Sequence, residues 1–146
     1  MKLKYTKGRA SEQDIYAHLV QCNESFIPRL EERVDIQEYS KKIAEKAVTF
    51  EAWSGDSLAG LVAAYFNEPK GQIGYITSVS IMKDYMGMGV ASTLVDLSID
   101  YAREHGFETI MLEVAKGNEH AVQLYRRLLF REFEDKGATI FMKLDV

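Results

Sequence analysis

Apolar positions along the chain change period several times, and each change marks an element. Lys2-Leu3-Lys4-Tyr5-Thr6 alternates polar and apolar, which predicts a strand with one buried face. Ser11, with Asp14 three places on, has the form of a helix-capping start. Ile15, Leu19 and Cys22 then share a helical face with His18, a residue expected to be partly buried and structural. A loop through Phe26, Ile27 and Pro28 leads to a second helix with Ile36, Tyr39, Ile43 and Ala47 on one side. Val48 to Trp53 and Leu58 to Phe66 read as strands joined by a hairpin turn at Ser54-Gly55-Asp56-Ser57. Pro69 falls in a predicted loop, and residues 71 to 81 form a further strand rich in β-branched positions. From Gly89 onward Val90, Leu94, Leu97, Ser98 and Tyr101 make one helical stripe. Glu108 to Ala115 is short and mostly apolar, as in a sheet covered on both faces. Ala121, Leu124, Tyr125 and Leu128 define a last helix. Strands at 131–134 and 139–144 close the chain around a turn at Lys136-Gly137.

The predicted order is β-α-α-β-β-β-α-β-α-β-β. A hairpin-linked sheet followed by strand–helix–strand–helix argues for an α/β fold with a mixed sheet and helices on both faces. The stretch from Tyr75 to Val114 is a βαβ crossover, so its two strands should be parallel neighbours. The length of 146 residues fits a single domain, 1–146.

Composition narrows the class of partner. The formal net charge of −4 comes from 22 acids against 18 bases. It supplies no electrostatic reason to expect nucleic acid or an anionic membrane. Lys2, Lys4, Lys7 and Arg9 read as a solvated edge. Cys22 is the only cysteine, so no internal disulfide or thiolate cluster can form, and the scattered histidines do not suggest a metal site. No apolar run follows the N-terminal lysines and none approaches a membrane span. A reducing cytoplasm is the expected compartment.

The most informative segment is Val79-Ser80-Ile81-Met82-Lys83-Asp84-Tyr85-Met86-Gly87-Met88-Gly89-Val90-Ala91-Ser92, where a β-branched strand, a short loop and two glycines open a long helix. A helix N-terminus presents unpaired N–H groups and a partial positive charge. Glycines let those groups approach a phosphate. A turn that simply needs positive φ is the plainer reading. No Gly-Lys-Ser/Thr follows, which excludes a P-loop. A dinucleotide fold would place the loop after its first strand.

This loop resembles that of the GCN5-related N-acetyltransferase (GNAT) superfamily, Gln/Arg-x-x-Gly-x-Gly/Ala, read here as Met86-Gly87-Met88-Gly89-Val90-Ala91. A second signature of that family, Asn-x-x-Ala-x-x-Leu-Tyr, matches Asn118-Glu119-His120-Ala121-Val122-Gln123-Leu124-Tyr125, and Leu112-Glu113-Val114 between them is also similar. Two positions depart from the pattern: Met86 replaces Gln or Arg, and Leu129 stands where glycine usually precedes Phe130.

The resemblance implies a GNAT-type acyltransferase fold and acetyl-CoA as co-substrate. It implies that the strand before the loop splays from its parallel neighbour and pairs with the pantetheine arm through the backbone of Val79, Ser80 and Ile81. The pyrophosphate would rest on Met86, Gly87, Met88, Gly89, Val90, Ala91 and Ser92. Asn118 would bond the cofactor arm, or serve only as a helix N-cap. Tyr125 would protonate the leaving thiolate, or be a core aromatic. Glu113 would be the general base, since a carboxylate in an apolar strand is costly without a role or partner. Ser78, Thr77 and Glu51 are weaker relay candidates. The acceptor is a primary amine. The stretches 26–43 and 64–67 resemble enzymes of polysaccharide biosynthesis and suggest a nucleotide-linked amino sugar; a protein α-amine is the alternative. A non-catalytic acyl-CoA-binding module is the contrasting class, and a homodimer is possible by resemblance.

Overall fold

A computed structural model describes residues 2–68 and 72–146. The elements are β1 (Lys4–Lys7), α1 (Glu12–Cys22), α2 (Ile36–Lys46), β2 (Val48–Ser54), β3 (Ser57–Tyr65), β4 (Ile73–Ile81), α3 (Val90–Glu104), β5 (Thr109–Ala115), α4 (Glu119–Arg127), β6 (Arg131–Asp135) and β7 (Thr139–Asp145). Their order is the one the sequence predicts. The loop expected at Pro69 and the strand start expected at 71 lie outside the described residues.

Seven strands form one sheet in the order β1-β2-β3-β4-β5-β7-β6. Among the described residues only β4 and β5 pair in parallel, from Ile73↔Thr109 to Ile76↔Leu112, as the crossover requires. The Ser11 start is a full capping box: its side chain accepts from Asp14 N–H, and Asp14 accepts from Ser11 N–H.

The sheet carries a core on each face. Phe50, Ala52, Val62, Ala64, Ile76, Ile110 and Leu112 pack against α3 and α4. Leu58, Leu61 and Ala63 pack against α1 and α2 with Trp53. Gly60 sets the approach of α3: a Cβ there would lie 2.9 Å from Val90 Cγ1 and 3.2 Å from Leu94 Cδ1. Glu51 is fully buried and ties the first edge together. Its carboxylate accepts from the hydroxyls of Thr6 and Thr49 (both 2.6 Å), from Arg9 and Ala10 N–H, and from Trp53 Nε1.

Several burial expectations are corrected. His18 is wholly rather than partly buried. Its Nδ1–H donates to Leu58 O at 2.7 Å and its Nε2 accepts from Ser80 Oγ at 2.9 Å, so burial holds it neutral, with its pKa below the usual value. The α3 stripe centres on Leu94, Val95, Ser98, Ile99 and Ala102. Leu97 and Tyr101 sit at its margin, where Tyr101 packs on Phe50, Phe66 and His105. Tyr5, expected on a buried face, is 38% exposed because β1 is an edge strand. β5 is not covered on both faces: Ile110, Leu112 and Val114 are buried and Glu113 is exposed. The reason is reach, since α1 and α2 lie over β2, β3 and β4 and stop short of β5.

Candidate active site

The glycine loop joins β4 to α3. A single helical turn at Lys83–Tyr85 leads to Met86 in extended conformation, then Gly87 at φ +78° and Gly89 at φ +77°. Both glycines hold the left-handed backbone that L residues rarely adopt, and a Cβ at either would meet nothing within 4 Å. Backbone conformation, not crowding by the protein, therefore selects glycine, and the space in front of the loop is open. No side chain caps α3. Its first intrahelical bond is Thr93 N–H to Gly89 O, which leaves the N–H groups of Val90, Ala91 and Ser92 without intrahelical acceptors. The first turn contains no acidic residue. Met86 is 46% exposed and Met88 58% exposed, beside the loop.

Parallel pairing of β4 with β5 ends at Ile76↔Leu112, yet β4 continues to Ile81 and β5 to Ala115. The two strands part there. On its other side β4 stays paired with β3 through Ser78↔Ala63, Ser80↔Leu61 and Ile81↔Gly60, and Met82 N–H bonds Ala59 O at 2.8 Å. Backbone groups alternate along a strand, so Ser78 and Ser80 bond toward β3, while Val79 and Ile81 turn their N–H and C=O groups into the gap. An uncapped helix N-terminus over open space and an unpaired strand edge are together what a diphosphate and an amide-bearing arm require. The residues present fit a coenzyme A moiety.

Tyr125 and Glu113 stand on opposite faces of the sheet. Tyr125 belongs to the core beside α3 and is 6% exposed. Burial drives its phenol pKa well above the ordinary value near 10, so the hydroxyl stays protonated at neutral pH. Glu113 is exposed on the other face, and one of its oxygens accepts from Thr139 Oγ1 at 2.5 Å. The cost of burial argued from its apolar neighbours in sequence does not apply, because those neighbours point the other way. Asn118 caps α4, with Oδ1 accepting from Ala121 N–H. The cap leaves its amide group free to donate.

Where the strands part, the relay candidates Thr77 and Ser78 stand among tyrosines that the sequence did not mark as functional. Tyr39 of α2 donates its hydroxyl to Thr77 O at 2.8 Å and lies 2.7 Å from Thr77 Oγ1. Burial raises the Tyr39 pKa to about 12. Tyr65 Oη and Ser78 Oγ are buried with no partner among the described residues. Tyr75 lies beside Glu113, and burial, then that carboxylate, raise its pKa. Glu51 is far into the first edge, with its oxygens committed to the donors named above.

The family model for acetyltransferases of the GNAT family matches residues 12–130. The chain belongs to this family. Among its relatives, N-alpha-acetyltransferase 30 of Schizosaccharomyces pombe is 33% identical over 88 residues, 59% of this chain and 59% of the relative. N-alpha-acetyltransferase MAK3 of Arabidopsis thaliana is 42% identical over 57 residues, 39% of this chain and 30% of the relative. The chain thus spans less than two thirds of the length of these relatives. In fold, it matches the PaiA N-acetyltransferase of Thermoplasma acidophilum, solved with coenzyme A, at a TM-score of 0.80 with 13% identity and full coverage of both chains. The ribosomal-protein-S18-alanine N-acetyltransferase of Escherichia coli matches at 0.77 with 17% identity over 99% of this chain and 94% of that one. No helix among the described residues is long and apolar enough to cross a membrane.

Proposed function

We propose that the protein transfers an acetyl group from acetyl-CoA to a primary amine by direct attack. The observation that carries the reading is the gap between β4 and β5, which opens beside the uncapped, glycine-led N-terminus of α3. The diphosphate rests on the N–H groups of Gly87, Gly89, Val90, Ala91 and Ser92, flanked by Met86 and Met88. The arm pairs with the edge of Val79 to Ile81, beside Asn118. The bound thioester supplies an activated acyl group; the remaining chemistry is proton management. An alkyl ammonium has a pKa near 10 and must lose a proton to attack. Glu113 faces the open side of the sheet and accepts that proton at the oxygen not bonded to Thr139. On the opposite face Tyr125 holds a proton at its hydroxyl for the departing thiolate.

The N-alpha-acetyltransferases among the relatives favour a polypeptide α-amine as acceptor. An amino sugar is the second reading, supported by the resemblance carried by the stretches 26–43 and 64–67. A non-catalytic acyl-CoA-binding module is favoured only by Met86, which offers no charged or amide donor to the diphosphate. Thiol release from acetyl-CoA, measured across a panel of peptides, amino sugars and small amines, tests the reading. Turnover on at least one amine is expected. Coenzyme A binding without turnover on any of them would establish the non-catalytic reading instead.

A further inference from the structure

The sheet face beside Glu113 carries a strip that no helix among the described residues covers. Glu113 is the cross-strand neighbour of Phe141, and Phe141 packs against Phe133 with ring centroids 5.9 Å apart and the rings tilted by 34°. Phe133 is the extra residue of a bulge in β6, between Glu132 and Glu134, and is 41% exposed. Lys143 lies on the same side of β7 as Phe141, two residues along, with Nζ 5.1 Å from the Phe133 ring centroid. Among the described residues no carboxylate lies within ion-pairing distance of Lys143. Its charged neighbours are matched: Lys136 with Glu134, Arg131 with Asp145 and Lys116 with Asp135. Arg33, stacked near Phe26 and close enough to Tyr75 to act on it, is a second cation on this side without a carboxylate partner among the described residues.

Charges of opposite sign therefore flank the rings. A carboxylate stands at the gap on β5, and an unmatched ammonium stands one strand over, two residues along β7, beside the Phe133 ring. Lys143 lies one strand across and two residues along from Glu113, and such diagonal neighbours are about 7–8 Å apart, the length of roughly two to three extended residues at about 3.3 Å each. We propose that this strip binds the acceptor as an extended polypeptide N-terminus, with the α-amine at Glu113 and an acidic side chain at its second to fourth residue against Lys143. The inference rests on the N-acetyltransferase reading above and adds the sequence class of the acceptor. An open strip of sheet fits a chain, and the uncompensated cation within two to three residues' reach of Glu113 selects against basic sequences.

The test is a peptide series with one fixed first residue and Glu, Gln or Lys at positions two to four, read as kcat/KM by thiol release, with a nucleotide-linked amino sugar alongside. An exposed ion pair changes an equilibrium by roughly two- to fivefold, so the Glu peptides should exceed the Gln peptides by about that factor, with the Lys peptides lowest. The preference should shrink as salt rises from about 0.05 to 0.5 M. Lys143→Glu should reverse the order, and Lys143→Arg should keep it; a merely structural lysine would alter all peptides alike. Equal use of the three peptides, or a Glu preference that survives Lys143→Glu, overturns the proposal and leaves the N-acetyltransferase reading intact. Acetylation of the amino sugar but of no peptide does the same. Thiol release with none of these acceptors overturns both.

Discussion

Replacing Ser92 by Asp separates the two consequences of an uncapped helix, because they carry opposite signs. Gly89 is the N-cap of α3 and Ser92 is the third helical residue, a position where a carboxylate answers the free N–H groups and the helix dipole. Without ligand, the new charge should stabilise the protein by about 0.3–1 kcal/mol. For a chain of this size that is a rise in Tm of roughly 1–3 °C. The same charge would face the diphosphate. At about 6 Å and an effective dielectric of 40–80, each charge pair costs ~0.7–1.4 kcal/mol. Two phosphate charges then weaken coenzyme A binding by roughly 10- to 100-fold. Thermal melts of the free protein and titration calorimetry with coenzyme A read the two effects separately. A higher Tm with an affinity unchanged within about twofold would refute the reasoning, since the diphosphate would then lie away from this helix.

The remaining predictions concern other parts of the molecule. Tyr125→Phe should lower kcat by about 10²–10⁴ and leave coenzyme A affinity nearly unchanged; equal losses in both would mark Tyr125 as structural. Glu51→Gln places an NH₂ donor where donors already converge, so urea unfolding should show a loss of about 3 kcal/mol, and a loss below about 1 kcal/mol would contradict the network. Leu129 holds φ +74° and is 76% exposed; Leu129→Gly should relieve the left-handed backbone and raise Tm by about 1–3 °C, whereas a fall would show that the side chain packs to advantage. His18, with its folded pKa below 6.5, is neutral in the fold and takes up a proton in the unfolded chain. Its contribution is fully present above pH 6.5 and declines by up to about 1.4 kcal/mol per pH unit as pH falls from 6.5 toward the folded value. His18→Gln should flatten that slope between about pH 6.5 and 5.5.

The element order and the glycine loop were legible in the sequence because both rest on local signals. Period, turn residues and caps act within a few positions, and Ser11, Gly55, Gly87 and Gly89 each do in the structure what their chemistry predicts. The parallel pairing of β4 and β5 followed from crossover topology. Burial was less legible. His18 shares a face with Leu19 and Cys22, but only the approach of β3 and β4 supplies the two partners that let it be wholly buried. Glu113 sits among apolar letters, and only the limited reach of α1 and α2 exposes it. The contacts of Tyr39 with Thr77 and of Thr6, Arg9 and Ala10 with Glu51 join residues far apart in sequence, and that of Phe133 with Phe141 crosses a hairpin. They depend on strand register and on a bulge, which no local pattern encodes.

The central claim is that backbone N–H groups at the start of α3 hold the diphosphate of coenzyme A. A crystal structure of the protein with coenzyme A tests it most directly. The account predicts phosphate oxygens within hydrogen-bonding distance of N–H groups between Gly87 and Ser92, and the arm running along Val79 to Ile81 in the gap beside β5. A well-ordered coenzyme A seated elsewhere on the molecule, with those N–H groups facing water, would contradict it.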